Sequence, residues 1–251
     1  MVHFVGAGSG AVDLITVRGA RLLGEADVII YAGSLVNPGL LAYANKDAEL
    51  YNSATMTLEE VMAVIRAAEA EGKTTVRLHT GDSSIYGAVR EQFDLLEAAG
   101  IAYDVCPGVS SFCGAAAALK AEYTLPGVSQ TVIISRMAGK TQMPERESIR
   151  ALAGHNATMI LFLSMGVIGK LQAELLAGGV AQDTPAAIVY KATWPDEQVY
   201  RCTVGTLEET AQQNGITRLA LVLVGGFLGH SYSRSRLYSP DFSTAFRGAE
   251  P

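Results

Sequence analysis

Short apolar runs alternate with amphipathic stretches along most of the chain. Val2-His3-Phe4-Val5 is the first run, followed by Val28-Ile29-Ile30-Tyr31 and by residues 48–51, 74–78 and 102–106. Runs of this length, rich in β-branched residues and bounded by Gly, Pro, Asn or Ser, read as strands. The stretches between them have helical spacing. Leu14, Val17, Arg21 and Leu22 predict a helix with Asp13 or Thr16 as its N-cap. Asn37-Pro38-Gly39 predicts a turn, and residues 40–46 a short helix. Thr57 and Glu60 are spaced as a capping box, opening a helix to residue 70 with Leu58, Val61, Val64 and Ile65 on one face. Residues 88–99 and an alanine-rich stretch ending near Lys120 complete the helices of this half.

The pattern changes at residues 122–130, where Pro126-Gly127 marks a linker. Strands are predicted at 131–136, 158–163, 186–190, 199–203 and 219–224, and helices at 147–155, 167–177 and 207–213. Residues 199–203 alternate and predict a hairpin with their neighbour. Residues 137–147 are polar and read as mobile, and the tail from Gly229 is polar with Arg234, Arg236 and Arg247. The expected architecture is two α/β domains. Residues 1–112 carry a mostly parallel sheet and residues 113–251 a mixed one.

Composition narrows the class. The 251 residues are 49% hydrophobic and 7% aromatic, with 26 glycines, which suits an α/β enzyme with a sizeable core. A formal net charge of -6 gives no global attraction to nucleic acid or an anionic membrane. Cys106, Cys113 and Cys202 have no framework or zinc spacing and are expected as small buried apolar residues. The chain opens directly in a strand, with no leader-like segment and no apolar run of membrane-spanning length, so a soluble cytoplasmic protein is expected.

Three glycine-rich junctions carry the candidate chemistry. Gly6-Ala7-Gly8-Ser9-Gly10 follows the first strand. It suggests a dinucleotide loop and hence an NAD(P)-dependent reductase, but its third glycine comes one residue early. The second strand also ends in Tyr31-Ala32-Gly33-Ser34 without a carboxylate, and Asp27 stands at the wrong end. The second junction, Thr80-Gly81-Asp82-Ser83-Ser84-Ile85-Tyr86-Gly87, is either an ordinary β–α turn or a loop whose exposed main chain meets a ligand. The third is Pro107-Gly108-Val109-Ser110-Ser111. Here the serines either cap the following helix or line a pocket. Asp82 suits an Asx-turn as well as a ligand contact, and Met165 suits core packing as well as a pocket wall.

These junctions and their order resemble the tetrapyrrole methylase family, the S-adenosylmethionine (SAM)-dependent methyltransferases of uroporphyrinogen, siroheme and cobalamin synthesis. The likeness within it is to the precorrin-4 C11-methyltransferase branch. It rests on GAGSGAVDLITVRG (residues 6–19), ADVIIYAGSLV (26–36), RLHTGDSSIYGAVREQ (77–92), PGVSS (107–111), YKATWPDE (190–197) and the tail SRLYSPDFSTAFR (235–247). The chain departs from the family in having Ser9 and Ser83 where proline is usual, and Ala11 where many members have aspartate.

The resemblance implies a two-domain fold with the active site in the cleft between the domains, and SAM as the cofactor. By match, Ser9, Gly81, Asp82, Ser83, Ile85 and Tyr86 would contact it, with Ser110, Ser111, Met165, Ala192 and Ala220 at its adenosine part. The implied reaction transfers a methyl group to C11 of precorrin-4, leaving S-adenosylhomocysteine (SAH). No unique base is marked; Asp82, Tyr86 and Glu197 are candidates. A substrate bearing several carboxylates calls for cations, and Arg18, Arg136, Lys140 and Lys191 are candidates, although any one of them taken alone reads first as a solvated surface charge. No metal site is expected. A homodimer is implied by the family alone. A cobalt-bearing substrate, a sister methyltransferase acting at another ring carbon and a SAM-sensing binding module remain alternatives.

Overall fold

The computed structural model describes residues 1–33, 35–139 and 141–248. The chain divides into two compact units. The first comprises Met1–Ala118 with Lys191–Gln198, and the second Leu119–Tyr190 with Val199–Pro251. The boundary therefore falls six residues later than the expected one after residue 112. Residues 191–198 also belong to the first unit, although both their neighbours in sequence belong to the second.

The first unit contains β1 (Val2–Gly6), α1 (Val17–Glu25), β2 (Val28–Tyr31), β3 (Glu49–Asn52), α2 (Leu58–Ala70), β4 (Thr75–His79), α3 (Arg90–Ala98), β5 (Tyr103–Cys106) and α4 (Ser111–Leu119). Its sheet has the order β3-β2-β4-β1-β5, and every pair is parallel. β1 and β4 are interior strands and almost wholly buried, as parallel strands covered on both faces are. Val5, Ile29, Val76 and Leu78 pack with Leu22 and Leu23 of α1 on one face. Phe4, Ile30, Met62, Ile65 and Leu96 close the other. Side chains buried like these contribute roughly 1.5–3 kcal/mol each.

Local chemistry sets the helix starts. Thr57 accepts a hydrogen bond from the Glu60 amide, and the Glu60 carboxylate accepts one from the Thr57 amide, so the capping box forms as read. Thr16, rather than Asp13, caps α1, because the chain makes a single 3-10 turn at Val12–Leu14 before turning again. The expected helix over 40–46 is a 3-10 turn at Pro38–Tyr43; Asn37 caps it through the Gly39 amide and Pro38 sits in its first turn.

The second unit contains β6 (Val132–Arg136), α5 (Ile149–Ala153), β7 (Thr158–Phe162), α6 (Ile168–Ala177), β8 (Pro185–Tyr190), β9 (Gln198–Thr203), α7 (Leu207–Gln213) and β10 (Ala220–Val224). The sheet order is β6-β7-β10-β8-β9. β6 and β7 are parallel, while β10 runs antiparallel to both β7 and β8, so this sheet is mixed as expected. β9 lies beside β8, matching the predicted neighbour pairing. Leu171, Leu175 and Leu207 cover its core face.

One reading is corrected. Cys113 is exposed, because α4 turns Ala115 and Leu119 inward instead; Cys106 is buried and Cys202 half-buried. The segment after β6 is organised by Arg136, whose guanidinium donates to the carbonyls of Met137, Thr141 and Gln142 at 3.2–3.3 Å.

Candidate active site

The carboxyl ends of β1, β4 and β5 meet at three glycines. A Cβ on Gly108 would lie 2.2 Å from the Gly81 carbonyl oxygen and 2.7 Å from the Gly6 Cα. Such spacing admits only hydrogen at these positions. Gly8 and Gly81 exchange backbone hydrogen bonds of 3.0 and 3.3 Å, tying the first junction to the second. Asp82 ties the second to the third. Its carboxylate accepts the Gly108 amide at 2.8 Å, the Ser84 amide at 2.9 Å and the Ser84 hydroxyl. Burial works to raise the Asp82 pKa, but the bonds from Ser84 and Gly108 outweigh it and hold the carboxyl below its ordinary value.

Beneath this junction β4 carries two buried titratable side chains that the pattern of residues alone did not mark as special. Arg77 donates to the Gln92 side chain at 3.2 Å and to the Ile30 carbonyl at 3.1 Å, and Gln92 in turn holds the Ala88 carbonyl at 3.0 Å. Burial pushes the Arg77 pKa down to about 10. His79 stacks on Phe4. Burial, and secondarily the Arg77 charge, push its pKa down to about 3, so it is neutral. The His79 Nε2 and the neighbouring Thr80 Oγ1 are buried and unpartnered.

Backbone strain marks the loop after β4 and several of the other candidate positions. Eight non-glycine residues among those described have positive φ: Tyr86, Ala88, Lys120, Asn156, Leu163, Lys191, Thr193 and Leu219. Six of these stand at, or within two residues of, Tyr86, Met165, Ala192 or Ala220. Left-handed backbone is costly for branched and bulky residues, and it concentrates where surrounding contacts over-determine a functional loop. Leu163 also presents a side chain that is 67% exposed. Nothing in its local sequence signalled this, since a leucine after an apolar run reads as the strand's end.

The sequence-derived candidates fall as follows. Ser9, Gly81, Asp82, Ser83, Ile85, Tyr86, Ser110, Ser111 and Ala192 belong to the first unit, and Met165 and Ala220 to the second. Ser9, Ser83, Ser110, Met165 and Ala192 are buried. Glu197 accepts the Thr193 amide at 2.6 Å. Lys191 pairs with Asp196 at 2.6 Å and lies over the Trp194 ring. Arg18 is drawn to Asp104, near the start of β5 and so at the opposite end of that strand from Gly108. Lys140 lies outside the described residues. Asp27, which stands at the wrong end of β2 for a dinucleotide reading, accepts the Thr74 amide at 2.8 Å.

The Tetrapyrrole (Corrin/Porphyrin) Methylases family matches residues 1–208. The chain belongs to the tetrapyrrole methylases. It is 51% identical to a cobalt-precorrin-4 C(11)-methyltransferase of Methanocaldococcus jannaschii over 98% of this chain and 95% of that one. It is 43% identical to a precorrin-4 C(11)-methyltransferase of Sinorhizobium sp over 98% of each. Among solved structures, a cobalt precorrin-4 methyltransferase, CbiF, matches with a TM-score of 0.89 and 44% identity, over 91% of this chain and 96% of that one. A uroporphyrin-III C-methyltransferase from Thermus thermophilus, complexed with S-adenosylhomocysteine, matches with a TM-score of 0.75 and 26% identity, over 90% and 98%. For this tetrapyrrole methylase, no helix among the described residues is long and apolar enough to cross a membrane.

Proposed function

We propose that this methyltransferase moves a methyl group from SAM to C11 of precorrin-4 in cobalamin synthesis, in the cytoplasm. The observation that carries the reading is the concentration of backbone strain and glycine close approach at the loops that match the family's cofactor motifs, in a chain similar over nearly its full length to C11-methyltransferases. The residues present suit the cofactor. Gly81, Ser83, Ser110 and Ala192 are small, as close approach of a ligand to the main chain requires, and the unpartnered Thr80 hydroxyl offers a buried polar atom next to Gly81. When bound, SAM would supply a methyl group activated by its sulfonium.

The chain's own residues would then act mainly by position. Holding donor and acceptor in register is worth roughly 7–11 kcal/mol of the barrier. The carboxylates of Asp82 and Glu197 are engaged with backbone amides, so each would have to break a structural bond to take a proton. This favours a loop-holding role for both over general-base duty. Tyr86, strained and half-exposed, is kept as a candidate base. Arg136 and Lys191 are proposed to meet substrate carboxylates.

A second reading, a cobalt-bearing substrate, is favoured by the 51% identity to a relative named for that substrate. Calorimetric titration with SAH, with NAD⁺ as control, tests the cofactor: micromolar binding of SAH alone, about -8 kcal/mol, is expected. Incubation with precorrin-4, metal-free and cobalt-loaded, and with a carbon-13-labelled methyl donor then locates the product carbon by NMR. Label at another ring carbon would reassign the enzyme to a sister reaction. SAH binding without turnover on either substrate would favour a sensing module, and NAD⁺ binding would restore the reductase reading.

A further inference from the structure

Residues 191–197 form a turn fastened onto the first glycine loop. Trp194 and Glu197 donate backbone bonds to the carbonyls of Lys191 and Trp194 at 2.9 and 3.0 Å, closing two successive turns. Glu197 receives the Thr193 amide at 2.6 Å. The Thr193 hydroxyl oxygen then accepts the amide of Ala11 at 3.0 Å and lies 3.1 Å from the Ser9 hydroxyl. A Cβ on Gly10 would lie 2.1 Å from the Trp194 ring, and one on Gly114 of α4 would lie 2.8 Å from the Ser9 Cβ and 3.0 Å from the Thr193 Cγ2. Asn37 holds the same loop from its other side, donating to the Gly10 carbonyl at 2.8 Å.

Thr193 itself is anomalous. It is β-branched yet has φ +67, and Lys191, two residues earlier, has φ +46. A β-branched residue in the left-handed region costs of order 1–3 kcal/mol and persists only where its neighbours enforce it. Here the enforcing contacts are the three polar ones at its amide and hydroxyl. Between the two strained residues stands Ala192, which is buried and is the position proposed to meet the adenosine of the cofactor.

We propose that Thr193 is a positioning residue: its hydroxyl, clasped by the Ala11 amide and Ser9, holds the Lys191-Ala192-Thr193 turn in the left-handed form that presents Ala192 to the cofactor's adenosine. The proposal rests on the SAM reading above. Ser9 gives the clasp a second hydroxyl where the family usually has proline, a residue with no hydrogen-bonding side chain, so the chain fastens this loop by side-chain bonding rather than by ring rigidity.

The test compares Thr193→Val, which keeps size and β-branching but removes the hydroxyl, with Thr193→Ser, which keeps the hydroxyl. SAH affinity is read by calorimetry, and backbone exchange of residues 9–12 is read by hydrogen–deuterium mass spectrometry without ligand. Thr193→Val is expected to weaken SAH at least tenfold and to raise exchange at 9–12. Thr193→Ser is expected to stay within threefold of the unaltered chain on both readouts. A Thr193→Val protein that melts lower yet binds SAH unchanged would make the residue merely structural and overturn the proposal, as would equal weakening by both substitutions. If Thr193→Val does not fold, Thr193→Ser decides: tenfold weaker SAH binding despite its retained hydroxyl overturns the clasp, and near-native binding with native exchange at 9–12 supports it. Failure of the unaltered chain to bind SAH overturns the cofactor reading and this proposal with it, whereas failure confined to the comparison of variants overturns this proposal alone.

Discussion

Single residues at the ends of β1, β4 and β5 set tight limits on change. Gly108→Ala would force a Cβ against the Gly81 carbonyl and the Gly6 backbone, neither of which is the end of a flexible side chain. We expect a loss of about 3 kcal/mol or more in urea unfolding, together with loss of SAH binding. His79 has a pH signature. Its folded pKa lies near 3, well below the 6.5 of an unperturbed imidazole, so above pH 6.5 it is neutral folded and unfolded alike. As the pH falls below 6.5 the unfolded chain takes up a proton that the folded chain refuses, and stability drops until about pH 3. The expected contribution is a loss of about 2 kcal/mol by pH 5. Urea unfolding at pH 7.5, 6 and 5 should show a shallower pH slope for His79→Asn than for the unaltered chain; parallel slopes would rule the assignment out. The burial of His79 and Arg77 was not legible beforehand. Both stand in a strand whose polar residues could equally have faced water, and only tertiary contacts decide it: Gln92 of α3 against Arg77, and Phe4 of β1 against His79.

Elements were more readable than the contacts between them. The capping box at Thr57 and Glu60 needs only residues three apart, and it formed as the spacing predicts. Thr57→Ala should cost about 1 kcal/mol by thermal or urea unfolding without affecting ligand binding. The Arg77–Gln92 contact is the contrasting case, since it joins β4 to α3 and, through the Ala88 carbonyl, braces the loop after β4. Gln92→Leu would leave a buried guanidinium short of an acceptor. We expect a loss of about 2–3 kcal/mol, although leucine is a good helix former. No change in urea midpoint would show that water replaces the lost partner. The same distinction explains the 3-10 turn at Pro38–Tyr43: its apolar residues have helical spacing, but the Asn37 cap and Pro38 favour a tight turn that does not propagate.

At the scale of the molecule, the parallel and mixed sheets followed from strand composition and connection length, whereas the membership of residues 191–198 did not. Those residues join the first unit through Thr193, Trp194 and Ala192, contacts some 180 residues away in sequence from Ser9 to Ala11, and no local pattern encodes such a pairing. Charge at Arg136 supplies the test of substrate recognition. Arg136→Glu should weaken tetrapyrrole binding, measured by absorbance titration, and leave SAH affinity unchanged in calorimetry. Because Arg136 also gathers the carbonyls of Met137, Thr141 and Gln142, Arg136→Lys should restore only part of the loss. Equal loss of both ligands, or of neither, would count against a substrate role.

The late arrival of residues 191–198 also bears on how the protein is made. When a ribosome has released Ala118, every strand of the first sheet exists, but the turn that closes on its first glycine loop has not been translated. Roughly seventy residues must follow before it emerges, which at about 5–20 residues per second takes on the order of four to fifteen seconds. During that interval the Ala11 amide lacks its Thr193 acceptor and Gly10 lacks the Trp194 ring. The nascent amino-terminal half is thus born with its ligand end unfinished, and a fragment ending at residue 118 would keep that defect permanently.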